Sequence, residues 1–98
     1  MVTKRAPADA PRASEFSRRF RLARNRAGLT QRALATLAKC SESTISEIEA
    51  GIHGGGRMPQ IDTVEVFARV LNVSPGWLAF GDGPAPEWLA DSDRPQAG

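Results

Sequence analysis

Apolar residues recur at helical spacing in five stretches of this 98-residue chain, separated by residue types that start and stop helices. Phe16, Phe20, Ala23 and Ala27 fall every three or four positions, which predicts a helix capped by Ser14 and ended by Gly28. Thr30 caps a second helix, Gln31 to Ala38, with Leu34, Leu37 and Ala38 facing inward. Lys39-Cys40 makes a tight turn, with Cys40 at an apolar position. Ser41 then caps a third helix, Glu42 to Ala50, which Gly51 stops. A fourth runs from Ile61 to Leu71, capped by Gln60 or Asp62, with Val64, Phe67, Ala68 and Leu71 in register. Ser74 and Pro75 open a short fifth helix that carries Trp77 and Leu78. No stretch reads as a strand and none repeats, so the fold class is all-α, five helices in one domain over 14–81.

The flanks read differently. Residues 1–13 are rich in Pro and Ala and carry Lys4, Arg5 and Arg12, the signature of a flexible basic tail. Residues 82–98 form a loose tail with one apolar anchor, Trp88-Leu89, a candidate subunit contact. Between the third and fourth helices, IHGGGRMP is long for a connection in a small bundle. It lacks the G-x-x-x-x-G-K-[ST] spacing and follows no strand, so it is not a nucleotide phosphate loop. It is either an arm that lets His53 and Arg57 reach a partner or a permissive linker. No apolar run approaches the roughly 20 residues of a membrane span, and the first residues lack a secretory segment. A lone cysteine fits a reducing compartment, so the expectation is a cytoplasmic protein with no membrane partner.

Charge is divided along the chain. Residues 1–41 hold ten Lys/Arg against Asp9 and Glu15, whereas residues 42–98 hold three arginines against nine acids. A polyanion partner for the first half would account for this, as would attraction between the halves. Helices two and three, joined by a three- to four-residue turn, have the helix-turn-helix arrangement.

From Phe20 to Gly81 the chain resembles the lambda-repressor-like (Xre-type) helix-turn-helix family of phage and bacterial regulators. The blocks RLARNRAGLTQRALA, STISEIEAG and LNVSPGWLAFG carry the resemblance, in that order. It implies a compact five-helix DNA-binding domain that docks as a dimer on a partly palindromic operator. It also implies that Arg24 pairs with Glu49 and that Gln31 bonds backbone phosphate, unless Gln31 serves only to start its helix. In some relatives an N-terminal arm touches DNA, a role open to Lys4 and Arg5. Two departures stand out: Lys39 occupies a turn position where glycine is frequent, and the third helix is acidic. A left-handed backbone at Lys39 would cost roughly 1 kcal/mol.

Geometry sorts the acidic residues. With about 100° per residue and Ile45 at zero, Ile48 lies near −60° and Glu49 near +40°. Glu49 thus shares the buried face and needs a partner, because a half-buried carboxylate left alone is costly. Ser43 and Glu47 lie opposite, near about 160° and 200°, flanked by Thr44 and Ser46 with Glu42 leading. Glu42 suits the first turn of a helix and also could accept from cytosine. The hydroxyls suit bases or phosphates, while Glu47 could reject wrong bases, reach cytosine, or bond a phosphate-holding arginine. Base contacts are therefore expected from Glu42, Ser43, Thr44, Ser46 and Glu47. Phosphate contacts are expected from Gln31, Arg18, Arg19, Arg32, Lys39, His53 and Arg57.

Catalysis lacks parts. With one histidine and one cysteine there is no zinc-ligand set, and the plentiful serines have no second plausible base. No cofactor, metal or small-molecule effector is implied. Trp77 reads as core, with Phe80 and Trp88 better placed for an interface; Leu71, Val73 and Leu78 fit core or subunit contact. The expected function is a sequence-specific, double-stranded-DNA-binding transcriptional regulator, a repressor acting as a homodimer. The alternative is a protein-interaction module on the same fold, such as an antitoxin or anti-repressor partner, which the acidic third helix and acidic second half would suit.

Overall fold

In a computed structural model of the chain, which describes residues 10–89, the predicted helices form with small changes at their ends. Helix α1 spans Ala10–Arg26, α2 Gln31–Ala38, α3 Glu42–Ala50, α4 Ile61–Leu71 and α5 Pro75–Phe80. No strand occurs among the described residues. Lys4 and Arg5 lie outside them. Helix α1 begins four residues before Ser14, so residues 10–13 belong to the helix rather than to a tail, and Ser14 caps nothing. Pro11 is tolerated there because the first helical N–H groups have no intrahelical partner.

The caps explain the other boundaries. Thr30, Ser41 and Ser74 sit in extended backbone, and each hydroxyl accepts from the N–H three residues on. Gln60 caps α4 by position alone, without a side-chain bond; Asp62 instead accepts from the N–H of Thr63 at 2.9 Å. Gly51 and Gly81 end α3 and α5 at φ near 75°, where L-residues are strained.

Helix α1 packs on α3 and α5, α2 on α3 and α4, and α4 on α5. The shared core is built on aromatic edges: Phe16 meets Phe20 at 5.7 Å between ring centres, and Phe20 meets Phe67 at 5.0 Å. Leu34, Ile45, Ile48, Val64, Leu71, Trp77 and Leu78 complete it, and Cys40 and Val73 pack partly buried at its margin. Two apolar expectations fail. Ala27 falls just past the end of α1 and is exposed. Leu37 is 55% exposed, because the buried face of α2 is centred on Leu34 and Ala35 and leaves Leu37 beyond its edge, about 110° from that centre.

The glycine-rich connection is not a plain linker. His53–Gly55 makes a single 3-10 turn, and Gly54, Gly55 and Gly56 take φ of 61°, 76° and 88°. Three successive left-handed residues explain three successive glycines. Past α5 the chain folds back: Trp88 meets Trp77 edge-on at 5.9 Å, and the Arg26 guanidinium lies 5.9 Å from the Trp88 ring. Trp88 thus spends part of its surface inside the molecule, while Phe80 remains 50% exposed.

Candidate nucleic-acid interface

Helix α3 is held by a stripe of α1 side chains. Ser17 Oγ donates to the carbonyl of Ile48 at 2.6 Å, and Arg21 Nη1 donates to the carbonyl of Glu49 at 3.0 Å. Arg24 grips the Glu49 side chain itself, Nε to Oε2 and Nη2 to Oε1 at 3.0 Å, while its Nη1 donates to the carbonyl of Leu29 at 2.8 Å. Residues 17, 21 and 24 are spaced by four and three, so one face of α1 points at α3. That spacing was a readable signal for Ser17 and Arg21, which sequence reasoning missed. Hydrogen bonding to Glu49 raises the Arg24 guanidinium above its ordinary value, against the opposing effect of burial.

Glu49 is thereby removed from the outward surface, being only 7% exposed. Its Oε1 also accepts from Gln31 Nε2 at 3.1 Å, which ties the start of α2 to the end of α3. Gln31 is half-buried and partnered, with its second amide hydrogen left for another acceptor.

The opposite face of α3 carries the expected residues. Glu42, Ser43, Ser46 and Glu47 are exposed. Thr44 is half-buried, its hydroxyl 2.9 Å from Ser41 Oγ and its N–H capped by the same oxygen. Thr44 is therefore committed first to the helix start.

The turn between α2 and α3 closes on Lys39 at φ 60° and ψ 46°, with the Cys40 N–H donating to the carbonyl of Ala35 at 2.9 Å. The left-handed residue is a lysine, as the departure from glycine implied, and the fold accepts its strain. Burial pushes the half-buried Cys40 thiol above its ordinary value.

Among the basic residues assigned to phosphate, Arg18, Arg32, Lys39 and Arg57 are exposed and His53 is half-buried. Arg19 is not available for that role. It is 7% exposed and caps the end of α5, Nε donating to the carbonyl of Leu78 and Nη2 to that of Ala79, both at 3.0 Å. Its charge meets the helix-end carbonyls from inside the fold. Burial lowers its proton affinity, Glu15 opposes this, Arg18 adds to it and Asp82 opposes it.

His53 and Glu47 come together across the end of α3, Nδ1 lying 3.8 Å from Oε1. No cluster of three or more His, Cys, Asp or Glu side chains that could hold a metal occurs among the described residues. No helix among them is long and apolar enough to cross a membrane.

A capped helix pair joined by a tight turn, with one face of the second helix open, defines the helix-turn-helix class of DNA-binding regulatory domain. Residues 15–79 match the family described as helix-turn-helix domain, and the chain belongs to it. The fold is similar to that of an HTH_3-family transcriptional regulator from Vibrio cholerae, at 25% identity and a TM-score of 0.63. That match covers 72% of this chain and 38% of the other, so this chain spans under half the length of that regulator. It is similar as well to the restriction-modification controller protein C.Esp1396I, at 28% identity and a TM-score of 0.56, covering 64% of this chain and 78% of that one. A hypothetical transcription factor from Neisseria shares the fold over 94% of this chain and 97% of its own, with a TM-score of 0.64 and 17% identity.

Proposed function

We propose that this chain is a sequence-specific regulator of transcription that represses by occupying promoter DNA. It binds a partly palindromic operator as a homodimer, with two α3 helices in successive major grooves about 34 Å apart. One observation carries the reading: Glu49 is turned inward onto Arg24, leaving α3 an outward face of hydroxyls led by Glu42 and crossed by Glu47. Such a face suits choice among bases, since hydroxyls donate or accept and a carboxylate accepts from cytosine. Attachment is assigned to the half-buried Gln31 and the exposed Arg18, Arg32, Lys39 and Arg57. Likeness to a transcriptional regulator and to a restriction-modification controller protein supports the regulatory reading.

Titration of salt against a random-sequence duplex tests it. Affinity should fall steeply, on a logarithmic slope of about 0.9 per phosphate neutralised. Negligible affinity at every salt concentration would instead mark a protein-interaction module. Selection from a random duplex pool should then return a site with two related halves.

A further inference from the structure

His53 was grouped with the phosphate-binding cations, and its surroundings give it a second part. His53 comes after Gly51 and Ile52 at the end of α3, and its Nδ1 is sealed from solvent without a hydrogen-bond partner. The nearest carboxylate oxygen is Glu47 Oε1, 3.8 Å away, too far for a hydrogen bond but within reach of one change in the exposed glutamate side chain. About a third of the His53 side chain is open, and that opening lies away from the sealed Nδ1. The ring lines a small cleft with Phe16 and Ser17 of α1, Ile48 of α3, and Gly51, Arg57 and Pro59. Arg57 is the charged residue in the cleft wall and Glu47 approaches the ring from α3, while the Ser17 hydroxyl is already given to Ile48.

A buried ring nitrogen with no partner is unfavourable, and so is a carboxylate carried toward a polyanion. One proton relieves both. Resting on the DNA-binding reading above, we infer that Glu47 and His53 form a proton-linked couple that sets how α3 engages DNA. On binding, the imidazole takes one proton from solvent. Nδ1–H donates to Glu47 and neutralises it, and Nε2–H is left to donate to a phosphate oxygen. The negative potential of the duplex favours the charged ring, so binding draws the proton in. His53 is a positioning residue for Glu47, and the pair reconciles an acidic reading face with a polyanionic ligand. Arg57 opposes the second positive charge but is exposed and long enough to turn to the backbone.

The test uses the full chain and a duplex that it selects from a random pool, at fixed ionic strength, between pH about 5 and about 8. Uptake of one proton makes affinity rise as pH falls, by at most about tenfold per pH unit. The expected gain is about three- to tenfold from pH about 7.5 to about 5.5. Calorimetry in two buffers of different ionisation enthalpy should show net proton uptake near neutral pH. His53→Asn keeps a donor near the Nδ1 position but cannot charge, and Glu47→Gln keeps the shape but cannot pair. Each should abolish the extra slope, whatever it does to the affinity itself. A wild-type profile that is flat, or one that both variants share, overturns the couple and leaves the DNA-binding reading intact. Absence of duplex binding at every pH and salt overturns both.

Discussion

The Arg24 guanidinium meets the Glu49 carboxylate edge to edge, one nitrogen to each oxygen, with 14% and 6% of the two side chains exposed. This pair joins α1 to α3 and gives a partner to the one carboxylate that the period of α3 turns inward. Burying two charges is costly, so its value shows most when one is removed: the survivor is left buried without a partner. Arg24→Ala and Glu49→Ala should each lower stability by about 3–5 kcal/mol in urea unfolding, and the double variant by less than their sum. Arg24→Lys should recover little, since an ammonium cannot match two oxygens in a plane. Additive single costs would show that the two side chains act separately.

The same pair sets a pH expectation. Pairing raises the Arg24 proton affinity in the folded state, so its contribution is complete below the unfolded value and lost only as pH climbs through the still higher folded one. Because that window lies beyond ordinary alkaline conditions, the Arg24 contribution should be constant between pH about 6 and about 9. A contribution from Arg24 to the wild-type minus Arg24→Ala stability difference that falls away within that range would contradict the assignment.

Much of this was legible because caps and periodicity are local. Thr30, Ser41 and Ser74 mark helix starts through their own hydroxyls, and the 3.6-residue period turned Glu49 inward without any knowledge of what it faced. What sequence left hidden depends on neighbours far along the chain. Arg19 lies about 60° from Phe16 around α1, well inside the apolar face, but its partners are carbonyls 59 and 60 residues away. Leu37 has the right spacing and no opposing surface. Lys39 in left-handed backbone could be anticipated only from the resemblance, since lysine itself gives no sign of it. The meeting of His53 with Glu47 required the three glycines to be a shaped turn rather than slack.

Arg19 and Arg32 should therefore behave as opposites. Arg19→Ala removes two charge-assisted bonds and leaves two carbonyls at the end of α5 unsatisfied, for a loss of about 2–4 kcal/mol. Its salt dependence on random duplex should match the wild type. Arg32→Ala, on the exposed side of α2, should leave urea stability within about 0.5 kcal/mol and reduce the logarithmic salt slope by about one. A changed slope for Arg19→Ala under folded conditions would return that residue to the DNA surface.

Lys39→Gly separates backbone from side chain. Glycine adopts φ near 60° without the steric strain of lysine, so the variant should gain about 1 kcal/mol in stability. If the ammonium touches phosphate, the same variant loses duplex affinity and about one unit of salt slope. Stability and binding then move in opposite directions. A loss of stability would mean that the lysine stem packs on the turn.

Gln31 and Ser43 test the division between attachment and choice. Gln31 begins α2 and is aligned by Glu49 Oε1 at 3.1 Å, so its amide has a fixed direction from which to bond a phosphate. Ser43 points outward from the first turn of α3 and is exposed. Gln31→Ala should weaken binding to selected and random duplexes by the same factor, because a phosphate contact carries no sequence information. Ser43→Ala should lower affinity for the selected site only, by about five- to tenfold, the size of one lost hydrogen bond in binding. Glu47→Ala should widen the bases tolerated at its position, since a carboxylate that discriminates does so partly by excluding acceptors. Measuring each variant on both duplexes, and repeating the pool selection, distinguishes these outcomes. Equal losses on both duplexes for Ser43 and Glu47 would move them from the bases to the backbone, and α3 would then grip DNA without reading it.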